Sequence, residues 1–460
     1  MLFTEFRFAV FFAIVFAIHW MLPGNRSRKL WLLAASWSFY AAWDWRFLGL
    51  IAASTLIDYA VGRALAVSRS RSGRRGLLAT SLIANLGILG FFKYYNFFAF
   101  SAVEFTAWLG LPLPLHALEI ILPLGISFYT FQTLSYTVDV YRGRLEPSRS
   151  LSDFALFVSF FPQLVAGPIV RAIDFLPQLA ETRRLAEVSF RVPLVRFLVG
   201  WIKKACIADQ IAAAVDPVFA HPDLADAATL WLTSFLYSLQ IYCDFSGYSD
   251  MAIATAAMLG YRLPENFGFP YLARTIQEFW RRWHISLTTW FRDYLYIPLG
   301  GNRAGRVRLA VNLFTVFLLC GLWHGAAWTF VVWGLYHGCF LSLERFVNVR
   351  RWPAWLGHMY VIVIVSVGFV VFRSVDLDFA WTFLTGMVST AGRESIPVSS
   401  HWWLILIGFG LAHATLYRWP YERAVARVPG WTFAAGYGAA TALVLPWAAG
   451  SYEPFIYFQF

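Results

Sequence analysis

Long apolar runs separated by short polar loops follow one another along the chain. The first, "FRFAVFFAIVFAIHWML", starts at Phe6, and comparable runs recur into the C-terminal region. A helix needs about 20 apolar residues to cross the hydrocarbon core of a bilayer. The pattern therefore predicts an all-α, polytopic transmembrane protein with about 11 to 12 crossings plus re-entrant and amphipathic helices. The first run lacks a basic leader and a small-residue cleavage site, which predicts a retained span and not a removed signal peptide.

Basic residues in the short loops predict the orientation. "GNRSRK" (Gly24–Lys29) and "SRSRSGRRG" (Ser68–Gly76) carry Lys and Arg and no acid. Between them, Leu30–Val67 is long enough for two crossings with a polar turn at residues 44–46. Both basic loops then lie on one side, which the positive-inside rule assigns to the cytoplasm. We expect a multi-pass protein of the bacterial cytoplasmic (inner) membrane with an extracytoplasmic N-terminus.

The remaining apolar segments keep this alternation. Phe154–Ile169 is broken by Pro162, Gly167 and Pro168, which favours a re-entrant segment. Lys203 and Lys204 interrupt one run that is otherwise apolar. The other predicted crossings are Leu77–Phe100, Ile120–Val140, Val192–Val215, Leu230–Phe245, a pair within Leu309–Arg345 that bends near His324, Trp355–Phe372, Trp402–Leu416 and Phe433–Ala449.

The loops and the absence of repeats predict the domain organisation. The acidic loop Asp216–Ala228 is expected outside, and the loop Ser374–His401 has room for a short helix. We detect no internal repeat, so we expect one integral-membrane domain over 1–460. Within it the N-terminal helices span 1–100, the core spans 115–346 and the C-terminal helices span 355–460.

Composition supports a membrane protein with basic loops. Hydrophobic residues make up 59% of the chain and charged residues 14%, against about 25% charged residues in soluble proteins. The net charge of +11 is best explained by cytoplasmic loops beside anionic lipid headgroups, and not by nucleic-acid binding. Four cysteines lie in or beside apolar runs without a CxxC motif, so we expect buried free thiols and no metal site. They are Cys206, Cys243, Cys320 and Cys339.

Three segments are too polar for their apolar setting. In the first, "YSLQIYCDFSGYSDMAIATAAMLGYRLPENF" (Tyr237–Phe267), polar side chains interrupt an apolar run. A helix end capped by Asp and Ser explains them as well as a cavity lining does, since intramembrane polar groups usually face a bundle interior. The residues in question are Gln240, Tyr242, Asp244 and Asp250.

The second segment is "EFWRRWHISLTTWFRDYLYIPLGGNR" (Glu278–Arg303). Its composition favours an amphipathic helix on the cytoplasmic surface, with Arg side chains extended to the headgroups and Trp beside them. The alternative is a basic floor that binds phosphate groups, for which bidentate Arg donors are suited. The candidate donor-binding residues are Arg281, Arg282, Arg292 and Asp293, with His284 between them.

The third segment, "CGLWHGAAWTFVVWGLYHG" (Cys320–Gly338), places two histidines in an apolar run. Burial disfavours a charged imidazole, and a neutral one can accept a proton, so His324 or His337 could act as a general base. Either ring could instead make a structural hydrogen bond across helices. Cys320 lies four residues before His324, but two candidate ligands do not make a zinc site.

Taken together, these segments resemble the membrane-bound O-acyltransferase family, in the branch that serves bacterial alginate and exopolysaccharide O-acetylation. Four further stretches carry the same resemblance, which covers nearly the whole chain. They are "FFKYYNFF" (Phe91–Phe98), "LPLGISFYTFQTLSYTVDVYRG" (Leu122–Gly143), "FPQLVAGPIVR" (Phe161–Arg171) and "EPFIYFQF" (Glu453–Phe460). The resemblance implies a ring of membrane helices around a central tunnel. It also implies that His324 in "LWHGA" is the catalytic histidine and that His284 in "RWHIS" is a second polar position of the site. His337 matches no catalytic position and is expected to pack.

The implied activity passes an acetyl group from a cytoplasmic donor, acetyl-CoA, to an extracytoplasmic hydroxyl. The expected acceptor is an exported polysaccharide such as alginate or cellulose, reached directly or through a periplasmic acetyltransferase partner protein. No resident cofactor is expected, and Gln240, Tyr242 and Asp244 are expected to line the tunnel. A D-alanyl transfer protein for teichoic acid is the alternative within the family. A secondary transporter is the alternative outside it, although transporters of that kind show two equivalent halves.

The orientation is testable by cysteine labelling in intact cells. The basic loops at Arg69–Arg75 and Arg303–Arg308 should be cytoplasmic and Asp216–Asp226 external. An impermeant thiol reagent should therefore label Asp223→Cys and leave Arg71→Cys unlabelled until the membrane is permeabilised. Labelling of Arg71→Cys in intact cells would reverse the assigned orientation.

Overall fold

The helical prediction is confirmed by the computed structural model of the protein. It describes residues 1–111, 113–303, 305–389, 399, 401–449 and 455–456. Within these ranges the regular secondary structure is helical and includes no strand. The protein is therefore all-α over the residues described, as its apolar pattern predicts.

The chain divides into two compact units. Unit 1 comprises Met1, Arg7–Val188 and Ala256–Pro264, and unit 2 comprises Leu2–Phe6, Ser189–Thr255 and Glu265–Phe460. The single domain expected over 1–460 stays a prediction. The helices of unit 1 are α1 (Phe6–Met21), α2 (Asn25–Asp44), α3 (Leu48–Val67), α4 (Arg71–Leu89), α5 (Tyr95–Trp108), α6 (Ile126–Tyr141), α7 (Leu151–Ser159), α8 (Phe161–Leu164) and α9 (Ala172–Ala180), with a π-helical turn at Gly90–Tyr94 and 3-10 turns at Trp45–Phe47 and Leu185–Glu187.

Unit 2 holds the three polar segments. Its helices are α10 (Arg191–Trp201), α11 (Asp209–Ala220), α12 (Ala227–Met258, whose last residues belong to unit 1), α13 (Ile276–Arg282), α14 (Ile285–Phe291), α15 (Gly305–His324), α16 (Trp328–Leu343), α17 (Ala354–Arg373), α18 (Leu377–Gly386), α19 (His401–Arg418), α20 (Tyr421–Arg427) and α21 (Gly430–Val444). π-Helical turns lie at Ile202–Ala208 and Arg292–Tyr296, and 3-10 turns lie at Pro222–Leu224, Pro270–Leu272, Val349–Arg351 and Leu445–Ala449.

Several helices are long and apolar enough to cross a membrane. They are Asn25–Val67, Arg71–Trp108, Val307–His324 and Ala354–Arg373, with shorter apolar helices at Phe6–Met21 and Trp328–Leu343. The protein is therefore a multi-pass membrane protein, while the number of crossings stays a prediction. The polar turn expected at residues 44–46 is confirmed, because α2 ends at Asp44 and a 3-10 turn separates it from α3. The short helix expected after Ser374 is α18.

Two predicted segments differ from the structure. The crossing predicted at Leu230–Phe245 continues as α12 to Met258, so Asp244 and Asp250 lie inside a helix and not at its end. The interpretation of these residues as helix caps is therefore wrong. Glu278–Arg303 does not form one amphipathic helix. It forms α13, α14 and a π-helical turn, and the left-handed backbone of His284 separates the two helices. Its aromatic side chains are buried, which a helix lying on the membrane surface would not allow.

A buried carboxylate ties three helices of unit 1 together. Asp58 of α3 is fully buried and accepts hydrogen bonds from Ser81 and Asn85 of α4 and from Thr137 of α6. The Asn85 Nδ2 to Asp58 Oδ2 distance is 2.8 Å. Burying a carboxylate in an apolar bundle costs free energy unless the carboxylate is hydrogen-bonded. This network therefore fixes how α3, α4 and α6 pack.

The break predicted in Phe154–Ile169 is confirmed. α7 ends at Ser159 and α8 begins at Phe161, and every residue from 154 to 170 is buried. Gln163 Nε2 donates to the carbonyl of Phe157 at 2.7 Å across the break. Irregular backbone at membrane depth needs such protein partners, so the burial agrees with a re-entrant segment, which itself stays a prediction.

All four cysteines are free thiols. Cys243 and Cys320 are buried as expected, Cys206 is partly buried, and Cys339 is exposed. The expectation of burial is wrong for Cys339, because that side chain lies on a face of α16 that the described residues leave uncovered. Among the described residues no group of three or more His, Cys, Asp and Glu could hold a metal ion.

Glycines let α15 and α16 approach until their backbones touch. A Cβ on Gly321 would lie 2.1 Å from the carbonyl oxygen of Phe330, and one on Gly334 would lie 2.3 Å from that of Phe317. No real Cβ tolerates such distances, so only glycine allows this packing. The bend expected near His324 is confirmed, because α15 ends at His324 and α16 begins at Trp328.

Adding one methyl group at this crossing should destabilise the protein. Gly334→Ala should cost about 1–3 kcal/mol, because the backbone it strikes cannot rotate away. Gly408→Ala is the matched control, since a Cβ there meets nothing within 4 Å and alanine favours a helix. Thermal unfolding of the purified protein in detergent measures both. Equal unfolding temperatures for the two variants would contradict the packing described.

Candidate functional site

His324 lies at the C-terminal end of α15, inside a cage of aromatic rings. Its side chain is 5% exposed. The ring centroids of Trp323, Trp333 and Phe372 lie 5.0, 5.1 and 5.2 Å from that of His324. Because these neighbours come from α15, α16 and α17, the bend after α15 and the packing of three helices together position the imidazole.

His284 is held in an unusual backbone conformation between α13 and α14. Its φ and ψ are 42° and 56°, in the left-handed region, which costs a non-glycine residue about 1–3 kcal/mol. Asn266 stabilises this turn. Its carbonyl oxygen accepts the N–H of Ile285 at 2.9 Å, and its side-chain oxygen accepts the hydroxyl of Ser286 at 2.8 Å. Backbone strain at a buried polar residue is typical of functional sites.

The structure brings the two predicted histidines together. The ring centroids of His284 and His324 lie 6.5 Å apart. His284 is 1% exposed, and its ring packs edge-on to Phe245 at 4.6 Å. His284 lies outside the long apolar helices, and burial lowers its pKa to about 3, so it is a neutral imidazole near pH 7. Two imidazoles at this separation can both contact one small reacting group, one as proton acceptor and the other as hydrogen-bond partner.

His337 shares the neighbour Trp333 with His324. Its ring centroid is 5.0 Å from that of Trp333 and 4.9 Å from that of Trp280. Both ring nitrogens are buried and lack a hydrogen-bond partner among the residues the structure describes. Helix α17 packs directly on this ring, because a Cβ on Gly368 would lie 2.7 Å from Nε2. The packing role expected for His337 stays a prediction.

The predicted donor-binding arginines have different surroundings. The guanidinium group of Arg282 is occupied by hydrogen bonds within the protein. Its Nε and Nη2 donate to Glu278, and its Nη1 donates to the carbonyl of Gly268 at 3.1 Å. Arg281 is exposed. Arg292 and Asp293 pair with each other, Nε to Oδ1 at 2.6 Å, with the Arg292 side chain 57% exposed. The role of all four in donor binding stays a prediction.

The predicted tunnel-lining residues lie on consecutive turns of α12. Gln240, Tyr242 and Asp244 are all buried. The Tyr242 ring centroid lies 6.1 Å from that of Trp283, the residue before His284, so Tyr242 belongs to the same aromatic cluster. The Oε1 of Gln240 has no hydrogen-bond partner among the described residues. Their contribution to a tunnel stays a prediction.

Sequence reasoning missed the ion pairs that satisfy the buried charges of α12. Lys204 Nζ lies 2.7 Å from Asp244 Oδ1 and 2.7 Å from Asp209 Oδ1. Further along α12, Asp250 pairs with Lys203 at 2.7 Å and with Arg196 at 2.9 Å. The two lysines in an apolar run were a visible signal. Their partners in α12 lie far along the chain, 47 residues on in the case of Lys203 and Asp250, which spacing alone does not indicate.

A contact between two glycines brings the helices close enough for these ion pairs to form. A Cβ on Gly200 would lie 2.6 Å from the carbonyl oxygen of Gly247, and the reverse distance is also 2.6 Å. The backbones of α10 and α12 therefore touch at Gly200 and Gly247, close in the chain to the two lysines and the two aspartates. Any larger residue at this crossing would separate the helices and lengthen the ion pairs.

The described C-terminal residues also belong to this cluster. The N–H of Ile456 donates to Asp244 Oδ2 at 3.0 Å. The Phe455 ring centroid lies 5.5 Å from that of Phe245 and 5.1 Å from that of Tyr248. Phe245 also contacts His284, so one side chain joins the C-terminal residues to the histidine pair.

Comparison with known proteins agrees with this site. The sequence pattern of the membrane-bound O-acyltransferase family matches residues 147–375, which include both histidines. The chain is 43% identical to the "Probable alginate O-acetylase AlgI" of Azotobacter vinelandii, covering 85% of this chain and 78% of that protein. It is 39% identical to the peptidoglycan O-acetyltransferase of Helicobacter pylori, covering 79% and 74%. It is 28% identical to the teichoic acid D-alanyltransferase of Bacillus subtilis, covering 54% and 68%.

The fold and the site together define a class of protein. It is an all-helical, multi-pass membrane protein with two buried histidines whose ring centroids lie 6.5 Å apart. The chain belongs to the membrane-bound O-acyltransferase family and is an O-acyltransferase.

Breaking the buried ion pair should destabilise the protein far more than breaking an exposed one. Lys204→Met leaves Asp244, which is 1% exposed, without the ammonium that lies 2.7 Å from it, a loss of about 3–5 kcal/mol. Asp216→Asn is the control, because Asp216 pairs with Arg373 and its side chain is 52% exposed, a loss of about 0–1 kcal/mol. Thermal unfolding in detergent compares them, and equal losses would contradict a structural role for the Lys204–Asp244 pair.

Proposed function

We propose that this protein transfers an acetyl group from a cytoplasmic donor, acetyl-CoA, to a hydroxyl group on the extracytoplasmic side of the bacterial inner membrane. The buried His284–His324 pair carries the proposal, since the two rings lie 6.5 Å apart in an apolar, aromatic enclosure. The names of two relatives, an alginate O-acetylase and a peptidoglycan O-acetyltransferase, support acetyl as the group transferred.

His324 acts as the general base. It takes the proton from the acceptor hydroxyl while the hydroxyl oxygen attacks the thioester carbonyl of the donor. As the new C–O ester bond forms and the C–S bond breaks, the proton passes from the imidazole to the departing thiolate, which leaves as the free thiol. His284 holds the donor carbonyl or assists the proton transfer. No resident cofactor takes part, because acetyl-CoA enters as a substrate.

The acceptor is an exported polysaccharide, with alginate as first candidate and cellulose as another. A periplasmic acetyltransferase partner protein carries the acetyl group onward where the polymer itself does not reach the site. Alginate is favoured because the relative named for it matches 85% of this chain at 43% identity. Transfer of D-alanine to teichoic acid is the second candidate, and it is less favoured because that relative matches 54% of the chain at 28% identity.

The topology explains why the enzyme lies in the membrane. The donor carries several phosphate charges, which cannot enter hydrocarbon, while the acceptor lies outside. A tunnel past His324 would let the small acetyl group meet its acceptor without moving the charged donor across. The predicted cytoplasmic side carries the basic loops, which attract an anionic donor.

Substitution of the three histidines tests the mechanism. His324→Ala should lower acetylation by about 10²–10⁴, because it removes the general base. His337→Ala should retain most activity per molecule, with losses that follow the amount of protein. His284→Ala should fall between them, because it positions and does not abstract the proton. The measurement is acetylation of the exported polymer per unit of membrane-inserted protein.

His337→Ala serves as the matched control, since His337 is another fully buried imidazole in the same aromatic cluster. Membrane insertion near the wild-type level is expected for His324→Ala, because alanine is at home in an apolar helix. An active His324→Ala protein, or an abundant but inactive His337→Ala protein, would overturn the assignment.

A further inference from the structure

A surface pocket of unit 2 is lined by three arginines. It has a volume of about 430 Å³ and lies between the 3-10 turn Pro270–Leu272, α13, α17 and the end of α19. The residues that give it its character are Arg274, Arg282, Arg418, His358, Tyr417 and Trp419. No carboxylate is among its lining residues, so the pocket wall is basic and aromatic.

Two of the arginines are held in place by the protein. Arg282 donates to Glu278 and Gly268, and its guanidinium carbon lies 5.4 Å from the Tyr417 ring centroid. Arg274 donates through Nη2 to the carbonyl of Trp352 at 3.0 Å, and its Nε is buried without a hydrogen-bond partner among the described residues. One carboxylate, Glu278, lies behind these two arginines, so they keep a net positive charge.

The third arginine has no such partner. The side chain of Arg418 makes no hydrogen bond or ion pair with any residue in the described ranges. It is exposed at the C-terminal end of α19, where the helix dipole favours a cation. His358 completes the wall, with Nδ1 3.1 Å from the carbonyl oxygen of Ala273. A neutral ring in that arrangement donates from Nδ1.

From this geometry we infer that the pocket binds a phosphate group. Planar guanidinium groups present donors that match phosphate oxygens in pairs. Arg418 keeps such a pair available, since no residue in the described ranges occupies it, and Arg274 and Arg282 add positive charge to a wall that contains no carboxylate. The pocket opens at the N-terminal end of α17, a helix apolar and long enough to cross the membrane, just after the basic turn Val349–Arg351. Trp419 and Tyr417 suit the headgroup level of a bilayer.

Two sources can supply such a phosphate at this depth. One is the headgroup of an anionic phospholipid, and the other is the nucleotide part of a coenzyme A donor. Only the second rests on the proposed function. Binding is measured without any acetyl transfer, so failure of the acetylation mechanism and failure of this pocket give separate results.

The test measures binding of coenzyme A and of phosphatidylglycerol in mixed micelles to the full-length protein purified in an uncharged detergent. Arg418→Gln should weaken binding of at least one probe by about 10-fold to 100-fold, because it removes charge-assisted hydrogen bonds. Arg418→Lys should lose less, since it keeps the charge and loses the paired geometry. Raised ionic strength should weaken the wild-type interaction.

Arg423→Gln is the matched control. It removes the same charge from an exposed position on the next helix, α20, outside the pocket lining. Selective loss of coenzyme A binding in Arg418→Gln supports the pocket with the donor as its ligand. Selective loss of phosphatidylglycerol binding supports it with a lipid as its ligand.

Unchanged binding of both probes in Arg418→Gln, or an equal loss in Arg423→Gln, would overturn the inference and leave a cluster of arginines packed on aromatic rings. Failure of the wild-type protein to bind either probe would do the same. Unfolding temperatures of the variants are compared first, and Arg418→Lys keeps the test decisive if the glutamine variant is unstable.

Discussion

Charges buried in an apolar bundle need counter-charges within reach, and the second unit depends on that constraint. An isolated ammonium or carboxylate transferred from water to this environment costs several kcal/mol even after relaxation. Lys203 and Lys204 are satisfied by Asp250 and Asp244, each at 2.7 Å. These distances exist because α10 and α12 touch at Gly200 and Gly247. The ion pairs and the glycine crossing are thus two parts of one packing arrangement.

The candidate site is built on that arrangement. Asp244 precedes Phe245 in α12, and the Phe245 ring packs on His284 with centroids 4.6 Å apart. A shift of α12 would therefore move the ring against which His284 rests. Asp244 also accepts the N–H of Ile456, so the same carboxylate anchors the described C-terminal residues. The stability of the unit and the positioning of the candidate site share one buried carboxylate, so a stability measurement is needed beside any activity measurement on its variants.

Local patterns predicted the parts of the fold that local physics decides. The crossing expected at Trp355–Phe372 is α17 within a residue or two at each end, because apolar length and polar flanks define it. The bend near His324 followed from the length of the apolar run, which holds two crossings, and from the glycine after His324. The predicted end of α12 at Phe245 was wrong, because the Asp residues that look like helix caps have partners elsewhere in the chain. Their lysines lie on α10 and the π-helical turn after it.

The histidine pair shows the same division between local and long-range information. His324 was singled out by its setting in an apolar segment and by the family resemblance, and His284 by the resemblance alone. The left-handed backbone of His284 was not expected, because it depends on Asn266, which lies 18 residues earlier and binds the turn from outside. The hydrogen bond between Ile456 and Asp244 joins residues that lie 212 positions apart in the sequence. Contacts of this separation follow from packing of the whole unit and leave no periodic pattern in the sequence.

Two histidines in one apolar stretch, each followed by glycine, are distinguished by the backbone and not by their neighbours in sequence. His324 ends α15, where the chain leaves the helix and the ring faces His284. His337 lies within α16, where a ring must pack against the next helix, and the absence of a side chain on Gly368 makes room for it. Trp333 packs against both rings, with centroid distances of 5.1 Å to His324 and 5.0 Å to His337. The same indole packs on both imidazoles, so the two histidines share one aromatic cluster and differ in where the backbone places them.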